Sequence, residues 1–291
     1  TLADSLAQHP KIFPGLMINM VAAGEASGSL DKSMERMATQ FERSNKTRAL
    51  VKKAMMYPMV LCIVMIAVVI VMLVVVIPNY ASMFADLGTD LPGITKAVMA
   101  ASDFVKNYWF ILVPLVVGIV VGVKAFSATD TGKHFFGKIV IKLPLTKDLV
   151  VKSASAQMAR TLSTLLGSGV PLIEAVDIVS GTMTNIYFKE ALEDAKDEIT
   201  IGQPLSRPLE RCGLFPPMVY HMTRIGEETG NTEDMLNKLA DYYEEEVEMA
   251  VQTLMAAMEP MIIVVMAAIV GVLIAACMAP MLSMYQALDS L

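Results

Sequence analysis

Residues Pro58–Pro78 read PMVLCIVMIAVVIVMLVVVIP. A helix rising 1.5 Å per residue needs about twenty such residues to cross some 30 Å of hydrocarbon. The stretch sits inside 32 consecutive uncharged residues bounded by Lys53 and Asp86. Two more apolar runs follow, NYWFILVPLVVGIVVGV at 107–123 and the uncharged segment Pro260–Leu288. Composition agrees: 55% of the 291 residues are hydrophobic and only 18% are charged, with mean hydropathy +0.54. A soluble domain has about 45–50% and about 25% respectively. Disordered, collagen-like and small disulfide-scaffold classes are excluded on this ground. The net charge of −6 gives no basic field, so no nucleic-acid partner is expected.

Charge beside the runs predicts an orientation. Arg43, Lys46, Arg48, Lys52 and Lys53 precede the first run, and Lys124, Lys133, Lys138 and Lys142 follow the second. Residues 1–57 and 124–259 are thereby expected in the cytoplasm. The predicted spans are 58–78, 107–123 and 260–288. A 79–106 loop and a 289–291 tail are expected outside. No Asp, Glu, Lys, Arg or His lies inside any predicted span, which weighs against a coupled transporter.

The soluble parts contain a repeat. LADSLAQHPKIFPGLMINMVAAGEASGSLDKSMERMATQFE from Leu2 aligns with LSRPLERCGLFPPMVYHMTRIGEETGNTEDMLNKLADYYE from Leu205. After a one-residue gap, Phe13-Pro14 matches Phe215-Pro216, Gly24-Glu25 matches Gly226-Glu227, and Gly28 matches Gly230. Pro58-Met59 and Pro260-Met261 keep the same register, so each copy leads into a span. Residues 151–204 have no counterpart before Leu2, and the first domain is expected to lack its front half.

Helical periodicity governs the second copy. Met158, Leu162, Leu165 and Leu166 form one stripe. Leu172, Ala175, Val176, Val179 and Met183 form a second, and Phe188, Ala191, Leu192, Ala195 and Ile199 a third. Short helices are predicted near 205–211 and 217–228. A long one follows Asn231, with Glu233 and Asp234 in its positive first turn. The fold class is an all-α membrane protein. It comprises three spans, a partial cytoplasmic bundle at 1–57 and a six-helix bundle at 124–259.

The Gly-Glu-x-Ser/Thr-Gly turns lack the lysine, glycine spacing and preceding strand of a phosphate loop. They read as helix C-termini, with Gly28 and Gly230 left-handed and Glu25 and Glu227 accepting backbone hydrogen bonds across the turn. Glu244, Glu245, Glu246 and Glu248 read as a solvated face or a docking stripe for a basic partner. Arg207, Arg211 and Arg224 are the complementary docking candidates. Met17, Met20, Met34 and Met37 fall at helical spacing and read as adaptable core filling. Cys62, Cys212 and Cys277 show no ligand spacing, and His9, His134 and His221 are scattered. No catalytic set, metal site or cofactor is expected, and the protein reads as a non-enzyme.

RTLSTLLGSGVPL (Arg160–Leu172), the FPP and GEETG elements, and the duplicated FPG and GEASG elements carry a resemblance. The chain resembles the inner-membrane platform proteins of type IV pilus and type II secretion machines, the PilC/GspF family. The resemblance implies a multi-pass, homo-oligomeric inner-membrane protein with its main domains in the cytoplasm. Its implied partners are a cytoplasmic hexameric assembly or retraction ATPase, pilin or pseudopilin subunits, and other inner-membrane components of the machine. A pilus platform is the first expectation and a secretion pseudopilus platform is the alternative, followed by a membrane transporter or channel, or a membrane-bound adaptor that only recruits proteins.

Overall fold

The computed structural model describes residues 1–10, 12–79 and 93–289, and among these every regular element is helical. Helices α1 (Leu2–Ala7), α2 (Gly15–Ser27) and α3 (Leu30–Val71) open the chain. The end of α3 winds into a π-helical segment, Met72–Val76. Then come α4 (Gly93–Ala128), α5 (Asp130–Lys142), α6 (Pro144–Gly167), α7 (Leu172–Thr182) and α8 (Ile186–Thr200). Helices α9 (Ser206–Arg211), α10 (Pro217–Thr229) and α11 (Thr232–Asp289) complete it. Residues 80–92 of the expected outer loop and residues 290–291 of the tail lie outside the described residues.

The chain divides into two units. One comprises Thr1–Lys52 and Ser127–Leu254, and the other Lys53–Phe126 and Met255–Leu291. The predicted stripes make the core of the first unit. Met158, Leu162 and Leu165 on α6, Ala175, Val176 and Val179 on α7, and Phe188, Leu192 and Ala195 on α8 have no exposed surface. Phe215 meets Phe188 edge to face at 5.1 Å and anchors the α9–α10 corner on α8. Leu236, Leu239 and Ala240 of α11 close the core. Met20 and Met37 are buried as expected, whereas Met34 stands exposed. Helix α5, which the apolar periodicity did not announce, packs on α6 and α8.

The second unit has the opposite character. Ile63, Val64 and Ile66 on α3 and Ile263, Val264 and Val265 on α11 are all more than half exposed. A buried core helix would hide these side chains, whereas a lipid-facing one presents them. Among the described residues, two helical runs, Leu30–Asn79 and Thr232–Ala279, are long and apolar enough to cross a membrane. Helix α4, carrying the run 107–123, adds hydroxyl contacts to both. Thr95 Oγ1 donates to the Ala276 carbonyl at 2.9 Å, and Ser102 donates to the Leu73 carbonyl inside the π-helical segment.

Candidate functional site

The two Gly-Glu motifs fold into the same local device. Helix α2 ends at Gly28 with φ 67°, and α10 ends at Gly230 with φ 72°, the left-handed region that glycine enters without strain. The chain turns back so tightly that each motif's first glycine touches the next helix. A Cβ on Gly24 would stand 2.8 Å from Ser33 Oγ, and one on Gly226 would stand 2.8 Å from the Thr232 Cα.

The glutamates do not bridge their own turns. They reach back to the start of the preceding short helix, where unpaired N–H groups favour an anion. Glu25 accepts from the Leu2 and Ala3 amides at 2.7 and 3.1 Å. Glu227 accepts from the Leu205 and Ser206 amides at 2.5 and 3.3 Å. The Leu2 and Ala3 amides hold the Glu25 carboxyl below its ordinary range. Pro14 and Pro216, both extended, start α2 and α10, with Phe13 half-buried and Phe215 buried just before them. The motif residues are therefore corner geometry, aligned with the one-residue gap between the copies.

The acidic run is used within the unit. Glu244 accepts from Arg160 Nε at 2.8 Å and from Arg43 at 3.0 Å. Asp241, one turn earlier, also takes both guanidiniums, with Arg43 at 2.6 Å. Lys152 binds Glu246 at 2.7 Å, Lys46 binds Glu248 at 2.8 Å, and Arg36 binds Glu233 at 2.7 Å. Gln40 reaches Thr161 and Thr164, each at 3.4 Å. These contacts form a polar seam joining α3 to α6 and α11. Glu245 is exposed beside it. Of the four glutamates expected as a solvated face or a docking stripe, Glu244, Glu246 and Glu248 are thus paired within the unit, Glu248 at its partly exposed edge.

Arg160 is the seam's centre, only 7% exposed. Burial alone would raise the Asp241 carboxyl, but the hydrogen bonds from Arg160 and Arg43 outweigh it and hold that group below its usual range. Burial pushes the Tyr243 hydroxyl, beside Glu246, up to about 12. The sequence contained a signal for Arg160, a lone cation between Met158, Ala159 and Leu162 on an apolar stripe. Such a residue needs buried anions, and α11 carries them at one-turn spacing.

The three arginines expected as docking candidates lie on α9 and α10. Arg207 donates to Gln203 at 3.0 Å, Arg211 pairs with Glu198, and Arg224 pairs with Glu210 at 2.5 Å. Arg207 and Arg211 are exposed and Arg224 is half-exposed. A cavity of about 650 Å³ opens between α5, α6 and the α7–α8 turn, lined by Lys133, Gln157, Asn185 and Lys189 among others. Its amides are engaged structurally, Gln157 with the Thr182 carbonyl and Asn185 with the Gly137 carbonyl. Among the described residues, no His, Cys, Asp and Glu side chains gather into a metal-holding group.

Fold and site together define a protein that is all-helical among the described residues, with helices of membrane-crossing length and an ion-paired helical bundle. The family model for type II secretion system protein F matches residues 1–78 and 158–280. The chain belongs to that family, the pilus and secretion platform family its motifs resemble. It is 39% identical over 288 residues to the type IV pilus assembly protein PilC of Pseudomonas aeruginosa, covering 96% of this chain and 75% of that protein. It is 37% identical over 280 residues to PilC of Thermus thermophilus, covering 96% and 69%. It is 32% identical over 286 residues to type II secretion system protein F of Aeromonas hydrophila, covering 98% and 73%.

Proposed function

We propose that this protein is the inner-membrane platform of a type IV pilus-type machine. Its bundles engage a cytoplasmic hexameric ATPase, and its spans guide pilin subunits into or out of the filament. The observation that carries the reading is the match to pilus assembly proteins over nearly the whole chain at 37–39% identity. In this reading the runs 58–78, 107–123 and 260–288 all cross the membrane. The soluble parts are two copies of one unit in the cytoplasm, and the protein works as a homo-oligomer beside other inner-membrane components. The protein performs no catalysis of its own, so force comes from the ATPase.

The α9–α10 arginines are the proposed ATPase contact. Arg207 and Arg211 are exposed and Arg224 half-exposed, and none of the three pairs with the acids of the seam. Among the described residues Arg207 offers a guanidinium held by the neutral Gln203, so an acidic partner can replace that contact without breaking an ion pair. A pseudopilus platform is the second reading, favoured by the 32% identity to type II secretion protein F.

Photo-crosslinking in cells from position 224 tests the proposal. Capture of a hexameric secretion-type ATPase supports it. Efficient capture of only transport or signalling proteins sinks it. Identifying a co-captured filament subunit as a pilin or a pseudopilin separates the two readings.

A further inference from the structure

Helix α5 starts one residue after α4 ends, with only Thr129 between them. Its sequence, DTGKHFFGKIVIK, divides by face. The inner face is fixed: Gly132 and Gly137 are buried, and Asn185 Nδ2 donates to the Gly137 carbonyl at 3.2 Å. His134 packs edge to face on Tyr187 and approaches Glu190 at 3.1 Å. The outer face carries Phe135, Lys138, Ile139 and Lys142 at i, i+3, i+4 and i+7, followed by Leu143. Phe135 is 56% exposed, Leu143 47% and Ile139 37%.

No acidic residue shares that face. Asp130, at the helix start, is bound by Lys133 at 2.9 Å. Lys138, Lys142 and Lys147 are exposed along or just beyond the helix. Aromatic and aliphatic side chains flanked by lysines make up a helix that lies in a bilayer interface. There the apolar groups enter the acyl boundary while long basic side chains reach the headgroups. Residues 79–157, α5 among them, fall between the two stretches matched by the family model.

We propose that α5 is an interfacial anchor. It lays Phe135, Ile139 and Leu143 into the anionic cytoplasmic surface of the membrane that the run 107–123 enters, with Lys138 and Lys142 on phospholipid phosphates. The argument for lipid as occupant is charge complementarity plus tethering: a helix one residue from a membrane-entering helix stays within reach of the headgroups. The proposal rests on 107–123 being a span.

The test uses the full chain with Cys62, Cys212 and Cys277 replaced by alanine. A single fluorescent label is placed by Phe135→Cys, Val121→Cys or Ile201→Cys. Each protein enters nanodiscs of phosphatidylglycerol with phosphatidylcholine, or of phosphatidylcholine alone, containing a quencher on the lipid chain. The label at 135 is expected to be quenched in the anionic discs and the label at 201 to be unaffected. Lys138→Gln with Lys142→Gln is expected to lower the docked-to-free ratio about thirtyfold, from roughly 1 kcal/mol per basic residue at an anionic surface. Quenching at 121 but not at 135 overturns the anchor and leaves the span intact. Quenching at neither position overturns both. Equal quenching at 135 in neutral discs, or after the lysines are removed, overturns the anionic recognition. Shielding of 135 by a neighbouring copy, seen as label–label self-quenching without lipid quenching, overturns lipid as the occupant.

Discussion

Arg160 Nε donates to Glu244 Oε1 over 2.8 Å, joining α6 to α11 across 84 positions of sequence. Arg43 of α3 takes the other carboxylate oxygen at 3.0 Å. One acid thus serves two guanidiniums, one from each half of the unit. Removing a single partner from a buried pair leaves uncompensated charge, which costs about 3–5 kcal/mol when burial is complete. Asp241 is half-exposed and Arg43 remains, so solvent screening reduces the expected loss for Arg160→Met to about 2 kcal/mol. Denaturation of the purified full chain in detergent measures it. A change within error would mean that Arg43 alone satisfies both acids.

The same seam sets an acid limb. The Asp241 carboxyl lies below its ordinary value because two arginines favour its ionised form, against the effect of burial. A depressed carboxyl adds stability that is complete above its unfolded value of about 3.9 and fades as pH falls through the lower native value. The stability gap between wild type and Asp241→Asn is therefore expected to stay constant from pH 7 to about pH 5 and to shrink below about pH 4. Melting temperatures of the pair across that range check it, and a gap that widened on acidification would contradict the assignment.

Gly226 and Gly230 are required for different reasons, and alanine separates them. At Gly226 a Cβ would stand 2.8 Å from the Thr232 Cα, an atom of the backbone that cannot swing away. Overpacking of this kind costs about 1–3 kcal/mol. At Gly230 a Cβ meets nothing within 4 Å, so only the left-handed φ of 72° opposes it, at about 1–2 kcal/mol. Asparagine at 230 is expected to recover part of the loss, because it tolerates that conformation, whereas asparagine at 226 is expected to be worse than alanine. Equilibrium unfolding of the four variants discriminates the cases.

The legible and illegible parts of this molecule divide by the range of the interaction. The α6, α7 and α8 stripes could be read because Met158 through Ile199 carry one apolar face each, a property of the local sequence. The glycine corners could be read because the motif occurs twice. The targets of Glu25 and Glu227 could not, since Leu2 and Leu205 lie 23 and 22 residues away and offer only backbone amides. Glu244 looked like solvated charge for a similar reason. Its partners, Arg160 and Arg43, come from helices far away in sequence, and a run of four glutamates is ordinarily a wet face. Helix α5 escaped because Phe135 and Ile139 face outward while Phe136 and Val140 are half-buried, which blurs the period.

Ser102 donates to the Leu73 carbonyl, within the π-helical segment at the end of α3. A π turn shifts carbonyls out of the regular i→i−4 ladder, and a hydroxyl from a neighbouring helix can satisfy one of them. Such interhelical bonds in membranes contribute on average about 0.6 kcal/mol. Ser102→Ala is expected to weaken association of α3 with α4 by about that amount, and Ser102→Thr to keep it. Unfolding of the reconstituted chain by graded detergent reads the difference. A larger loss would point to a rearrangement of the π segment rather than to one hydrogen bond.

Thiol accessibility tests the three-span arrangement. Cys212 lies at the end of α9, half-buried, with its thiol on the Leu209 carbonyl at 3.2 Å, and Cys62 lies exposed among the apolar residues of α3. In intact cells stripped of their outer membrane, a charged maleimide that cannot cross a bilayer is expected to leave both unlabelled. In the proposed arrangement Cys212 faces the cytoplasm and Cys62 sits in hydrocarbon. In inverted vesicles Cys212 is expected to react and Cys62 to stay protected until detergent is added. Lys96→Cys, in the predicted outer segment, is expected to show the reverse pattern and react only in the intact cells. The run 107–123 lies between positions 96 and 212, so that reversal requires it to cross. Labelling of positions 96 and 212 from the same side would mean that the chain does not cross an odd number of times between them. Because residues 97–211 contain only one run of spanning character, that outcome would remove the second span.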